Sequence, residues 1–344
     1  MNKKIKIAVV GTGLMGSQHL KAIKVSKKST LHSIVYLTKK SISCAKKFNV
    51  PFYNNSEELL KNNKPDAVII ATPNQFHKEH ASIFLKSKIP VLLEKPIADN
   101  IISAKKIISS SKQNKTHLLI GYHRRHNPII SSVKKKIDSG ELGRIVSVNI
   151  MCWLYKNKDY YKEKWRTKKG GGPLGINLVH DLDLACHLLG PVKYVQATTS
   201  NLIRKYKVED TATVNLVFTS GALCSLNISD TIVSPWSYEL TAGENPVYPI
   251  TNQSAYYIGG TKGSIQFPNM RHWYNKKERS WWKEIFFKKK KTLSRSTLVN
   301  QIDHFCDVVS RKTKPKVTGG DGLMSLKIFD AILRSAKTGK KIKI

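Results

Sequence analysis

The stretch that most constrains this chain is Lys6-Ile7-Ala8-Val9-Val10-Gly11-Thr12-Gly13-Leu14-Met15-Gly16-Ser17, close to its N-terminus. Ile5 and residues 7–10 form a nearly unbroken apolar run, as expected of a strand covered on both faces in a parallel sheet. Gly11, Gly13 and Gly16 follow at G-x-G-x-x-G spacing and lead into a helical pattern. Gly11 suits the tight turn, Gly13 admits a pyrophosphate close to backbone, and Gly16 lets helix pack on strand. The amides at the helix start, those of Leu14 and Met15 among them, offer free donors and a positive dipole end. An ordinary strand-to-helix turn is the competing reading. The chain, however, continues as strand, helix and strand over residues 33–37, 41–48 and 67–71, which favours a dinucleotide site in a doubly wound sheet.

The second strand, residues 34–37, ends at Thr38-Lys39-Lys40, about 20 residues past the glycines, where an NAD site usually carries an acid for the ribose 2′-hydroxyl. A hydroxyl followed by Lys39 and Lys40 suits a 2′-phosphate instead, so NADP(H) is favoured over NAD(H). Ser56 ahead of Glu57 and Glu58 reads as the N-cap of a short helix. The strand at 66–71 ends in Thr72-Pro73-Asn74 with His77 beyond, at the sheet edge where ligands bind. A further buried strand, 91–93, delivers Glu94-Lys95-Pro96 to the same edge. A partly desolvated Lys95 beside other positive charge has a lowered pKa and becomes usable in proton exchange; an ordinary surface lysine is the bland alternative. Glu94 reads as a holder of cofactor hydroxyls or of the local turn.

At 344 residues the chain has room for about two domains. Its apolar runs are too short to span a bilayer, and the N-terminus enters a strand rather than a signal-peptide core, so a cytoplasmic protein with no membrane span is expected. Cys44, Cys152, Cys186, Cys224 and Cys306 form no C-x-x-C pair and read as buried free thiols. No histidine has metal-ligand spacing to a second ligand, so no metal is expected. Lysine and arginine outnumber acids 59 to 23, a net charge of +36, but they spread along the whole chain. That spread reads as lysine-rich solvated surface rather than a specific nucleic-acid footprint.

A strand at 116–121 closes the first part, and Asn127-Pro128 starts a helix ending near residue 140. Beyond it, residues 145–153, 192–201, 210–219, 222–230, 237–242 and 263–267 carry strand signals. The loop at 155–169 is aromatic and basic, and its Trp165 and Arg166 suit a ring-shaped polar ligand or, equally, packing on a core. Residues 271–291 form a second aromatic, lysine-rich stretch that reads as an insertion or a lysine-rich excursion, and no function is assigned to it. Asn177, His180 and Asp183 share one face at a helix start, which can grip a hydroxyl, present an imidazole and orient it with a carboxylate. A capping Asn with a core His is the alternative.

The order G-x-G-x-x-G, A-T-P-N-x-x-H, E-K-P, then residues 121–128, Gly170-Gly171-Gly172-Pro173-Leu174, residues 177–183 and Gly319-Gly320-Asp321-Gly322-Leu323 resembles the Gfo/Idh/MocA oxidoreductases. The resemblance covers the whole chain. It implies an α/β protein: an NAD(P)-binding Rossmann domain at 1–122 and an α+β domain at 123–344 with a large, mostly antiparallel open sheet that mediates homodimer or homotetramer contacts. It implies hydride transfer on a CH–OH group of a sugar, cyclitol or polyol, with Lys95 and His180 sharing proton transfer and Asp183 in support. Lys95, Arg124, Trp165, Arg166, Asn177 and His180 would meet the substrate. Many members carry Asp where Ile176 stands here, so Asn177 takes over that contact. A non-catalytic NAD(P)-sensing regulator of the same fold is the alternative.

Overall fold

The computed structural model describes residues 3–35, 39–168, 170–289 and 296–344, without the side chains of residues 39 and 40. Contacts divide the chain into two units, Met1–His126 with Ser296–Leu326, and Asn127–Arg295 with Lys327–Ile344.

The first unit alternates β1 (Ile5–Val10), α1 (Leu14–Val25), β2 (Ser29–Val35), α2 (Lys39–Phe48), β3 (Phe52–Tyr53), α3 (Ser56–Asn62), β4 (Ala67–Ile70), α4 (His77–Lys86), β5 (Val91–Leu93), α5 (Ile101–Gln113) and β6 (Leu118–Ile120). The strands form one parallel sheet in the order β3-β2-β1-β4-β5-β6. The order reverses between β1 and β4, and ligands of such sheets bind outside the strand ends at that switch. Ala8, Val10, Val68 and Ile70 enter the core on one face, Ile7, Val9, Ala67 and Ile69 the core on the other. Because both faces are covered, these strands read as apolar runs and not as alternation. The cap of α3 is Asn55 rather than Ser56: its side chain accepts from the Glu58 amide at 2.8 Å, while the buried Ser56 hydroxyl meets His80 Nδ1 at 3.2 Å.

The second unit opens with α6 (Pro128–Asp138), capped by Asn127, and β7 (Ile145–Trp153). One wide helical turn, Leu174–Leu178, runs into α7 (Val179–Leu189). Then come β8 (Val192–Ser200), β9 (Thr211–Phe218), β10 (Leu223–Ser229), α8 (Tyr238–Thr241), β11 (Tyr256–Gly260), β12 (Ser264–Phe267), β13 (Arg271–Tyr274) and β14 (Phe286–Lys289). The chain ends with α9 (Thr297–Val309), α10 (Gly319–Thr338), closed by Gly339 at φ +69°, and β15 (Ile342–Lys343). The sheet order is β14-β13-β12-β11-β7-β10-β9-β8-β15, antiparallel throughout except for the β7–β10 pair.

Two readings change here. Residues 237–242 are not a strand, because the Ser237 hydroxyl accepts from Leu240 N at 3.3 Å and Thr241 Oγ1 donates to Ser237 O at 2.7 Å, closing the short helix α8. The aromatic stretch after residue 270 is not an excursion: β13 and β14 extend the sheet at its edge, with Trp273 packed on Phe287. α9 joins the first unit's core through Ile302, Phe305, Cys306 and Val308, which pack with Leu20 and Ile23 of α1. A contiguous division at residue 122 places that helix with the second part. All five cysteines are free; Cys152, Cys224 and Cys306 are buried, whereas Cys44 and Cys186 are only partly so.

Candidate active site

At the β1–α1 turn the three glycines have three separate reasons. Gly11 sits at φ +89°, and a Cβ on it would stand 2.9 Å from the Ala71 carbonyl oxygen. A Cβ on Gly16 would stand 2.0 Å from the Gly11 oxygen, so helix and turn touch backbone to backbone. Gly13 is different: among the described residues a Cβ there would meet nothing within 4 Å. The protein's own packing therefore does not demand that glycine, whereas a phosphate approaching the α1 N-terminus does. Gly13 and Leu14 are exposed and Met15 half-buried. Thr72 leans its methyl toward Gly11, and its buried hydroxyl has no hydrogen-bond partner among the described residues. A free donor beside a Cβ-less cradle fits a dinucleotide. Pro73 and Asn74 lie in the turn that follows. Thr38 lies outside the described residues, as does the side chain of Lys39, whose backbone begins α2.

His77, at the start of α4, spans two loops: Nε2 lies 3.0 Å from the Thr72 carbonyl and Nδ1 3.0 Å from that of Pro96. Burial holds its pKa below the ordinary value although both carbonyls favour the charged ring. The ring thus sits between the turns after β4 and β5, and in its neutral form it donates its one N–H to one of the two carbonyls. Glu94 is equally occupied: Oε1 meets His19 Nε2 at 2.7 Å and Oε2 accepts from Lys95 N at 3.2 Å. Burial pushes this carboxyl up, but the His19 hydrogen bond and the charges of His19, His123 and Lys95 outweigh it and hold it below the ordinary range. Gly121 is required opposite, because a Cβ there would stand 2.9 Å from Glu94 Oε1. Lys95, half-buried, is presented by this braced turn. Arg124 is buried in the same unit, in the short turn His123–His126.

The second unit holds Trp165, Arg166, Asn177, His180 and Asp183. Asn177 lies in the wide turn before α7, and His180 and Asp183 in the first turns of α7, all three buried. Asn177 Oδ1 accepts from Lys156 Nζ at 2.8 Å, and its Nδ2 donates to Glu239 Oε1 at 3.3 Å. The glycine run ahead of this turn is packed from both sides. A Cβ on Gly171 would stand 2.5 Å from the Trp165 oxygen, and one on Gly172 2.2 Å from Glu209 Oε1. That same Glu209 oxygen accepts from Leu174 N at 3.1 Å, and burial raises its pKa. Arg166 bonds the Tyr160 carbonyl at 2.7 Å and lies 3.9 Å from the Tyr160 ring, whereas Trp165 is exposed. Lys156, Glu209 and Glu239 were not foreseen. Lysines are too common in this chain for one to stand out, and the long-range pairings of Glu209 and Glu239 leave no local pattern.

Residues 5–122 match the model of the oxidoreductase family, NAD-binding Rossmann fold, and residues 134–344 that of its C-terminal alpha/beta domain. The chain belongs to the Gfo/Idh/MocA oxidoreductase family. Among the relatives of this Gfo/Idh/MocA member is myo-inositol 2-dehydrogenase of Thermotoga maritima, 24% identical over 99% of this chain and 98% of that one. Two other curated relatives are matched over only 65% and 44% of their own length. The fold is shared with the WlbA dehydrogenase of Bordetella pertussis in complex with NADH and UDP-GlcNAcA, at TM-score 0.79 and 24% identity over 99% of both chains. It is shared too with an oxidoreductase of Agrobacterium radiobacter in complex with NAD+, L-tartaric acid and magnesium, at TM-score 0.82 and 22% identity over 99% and 98%. Among the described residues no helix is long and apolar enough to cross a membrane.

Proposed function

We propose that this family member is an NAD(P)-dependent oxidoreductase acting on a CH–OH or carbonyl carbon of a sugar, cyclitol or related polyol. The observation that carries this reading is the Gly13 cradle at the switch point of the parallel sheet, glycine where packing asks for none. Gly11, Gly13, Leu14, Met15, Gly16, Thr72, Pro73 and Asn74 would hold the dinucleotide, with Thr38 and Lys39 at its ribose. His77 and Glu94 would fix the turns that face it. The nicotinamide, when bound, supplies the two-electron chemistry. Lys95 and His180 exchange the proton of the reacting hydroxyl, Asp183 orients His180, and Asn177 grips a neighbouring hydroxyl. Residues 1–122 serve the cofactor and residues 123–344 the substrate, in a cytoplasmic homodimer or homotetramer.

The preference for NADP(H) rests on residues 38–40 alone, which carry no acid. Fluorescence titration with NADH and NADPH tests it, with Lys95→Ala run on a panel of sugars and polyols. Tighter NADPH binding and turnover lost in Lys95→Ala are expected. Binding of neither nucleotide overturns the reading. Tight binding without turnover on any substrate supports an NAD(P) sensor instead.

A further inference from the structure

The second unit buries a cation that the proposed chemistry does not use. Lys156 leaves the end of β7 only 8% exposed, with its Nζ donating to Asn177 Oδ1 at 2.8 Å. Among the described residues it makes no ion pair. The near carboxylates bond other groups: Asp230 Oδ1 accepts from Arg204 Nε at 2.6 Å and its Oδ2 from the Tyr161 hydroxyl, Glu209 Oε1 accepts from Leu174 N at 3.1 Å, and Glu239 Oε1 accepts from Asn177 Nδ2 at 3.3 Å. The Tyr160 ring, 4.7 Å from Nζ, steadies a cation by its quadrupole but offers no lone pair to the remaining N–H groups. Arg166 lies against the same ring at 3.9 Å, so two cations face one side chain of this loop.

The side chain is also aimed. Lys156 N donates to the Asp230 carbonyl at 3.0 Å, and the Lys156 carbonyl accepts from Arg204 Nη2 at 2.7 Å. Burial disfavours this ammonium, the charges of Asp230 and Glu239 offset that only in part, and its direct acceptor is the neutral Asn177 amide, a costly arrangement if the lysine only propped Asn177. An anion supplied by a ligand resolves that cost; a neutral hydroxyl does not. We infer that Lys156, together with Asn177, forms a subsite for an anionic group, carboxylate or phosphate, carried by the substrate. This rests on the reading above, in which Asn177 touches the substrate, and narrows its class to acidic sugars or sugar phosphates.

Calorimetric titration of the cofactor-loaded protein with D-glucuronate, glucose 6-phosphate, glucose and myo-inositol tests it. At least one anionic sugar should bind roughly tenfold or more tightly than either neutral one, as a charge-assisted hydrogen bond implies. The glucuronate and glucose 6-phosphate arms separate carboxylate from phosphate. Lys156→Met should abolish that advantage, Lys156→Arg should keep most of it, and neither should change NADH or NADPH affinity. Equal binding of acidic and neutral sugars overturns the subsite, as does binding of no sugar, or a Lys156→Met loss that falls alike on both kinds. The wild-type comparison stands even where the Met variant does not fold. Failure of both nucleotides to bind wild type overturns the oxidoreductase reading itself, a result distinct from nucleotide binding with indifference to sugar charge.

Discussion

Single residues carry the sharpest distinctions in the nucleotide turn. Gly13 and Gly16 belong to one motif, yet among the described residues a methyl group on the first meets nothing within 4 Å and on the second meets the Gly11 oxygen at 2.0 Å. Gly16→Ala should therefore cost about 2 kcal/mol or more of stability by overpacking. Gly13→Ala should stay within about 1 kcal/mol of wild type while weakening NAD(P)H binding roughly tenfold or more. Urea denaturation and nucleotide fluorescence read the two effects separately, and equal destabilisation by both would contradict the cradle. Glu94 makes a pH prediction. Its folded pKa lies below the ordinary 4.5, so the ionised carboxylate stabilises the fold at neutral pH, and that contribution is lost as pH falls below about 4.5 through the folded value. Glu94→Gln should lower stability at pH 7 by about 3 kcal/mol, because His19 keeps a buried nitrogen without its anion, and should flatten the acid limb. Urea midpoints at pH 3, 5 and 7 decide this; an unchanged limb would show that Glu94 does not govern it.

Elements were legible where their reasons are local. The two-sided burial of β1 and β4 and the Asn127-Pro128 start of α6 are written in adjacent residues, and the structure keeps those elements. Residues 237–242 misled because Tyr238 and Leu240 alternate like a strand, while the Ser237 cap that decides the matter uses a single hydroxyl. β13 and β14 were hidden because each is only four residues long and is held by its partner strand. Between them Trp281 and Trp282 are 87% and 81% exposed, although tryptophans in sequence suggest a core. Replacing both by Ser should change stability by about 0.5 kcal/mol or less, since neither lies in the core. Guanidinium denaturation followed by far-ultraviolet circular dichroism measures it, and a loss above about 2 kcal/mol would mean that the hairpin supports the sheet. The candidate site residues divide in the same way. Lys95 was found through the strand that delivers it and His180 through helical spacing, whereas Lys156 depends on Asn177, 21 residues later, and left no pattern to read.

At the scale of the whole molecule, the order of motifs along the chain does not match the order of packing. Residues 296–326 return to the first unit, where Ile302, Phe305, Cys306 and Val308 share a core with Ile7, Val9, Leu20 and Ile23. Residues 317 and 318 run beside β6, with Ile120 N donating to the Val317 carbonyl at 3.2 Å. The sequence marks α9 as an amphipathic helix but cannot say which unit its apolar face covers, because any exposed apolar surface would serve. Phe305 is fully buried there, so Phe305→Ala should cost about 3–5 kcal/mol. A fragment ending at residue 126 leaves the α1 face and one face of β1 without their cover, and burial of that apolar area is part of what offsets the entropy of ordering the sheet. Such a fragment should bind a hydrophobic dye and melt without a cooperative transition, whereas the same fragment joined to residues 296–326 by a glycine–serine linker should regain one. Cooperative unfolding of the shorter fragment alone would show that the parallel sheet closes its core without α9, and that the returning helix adds only to the surface.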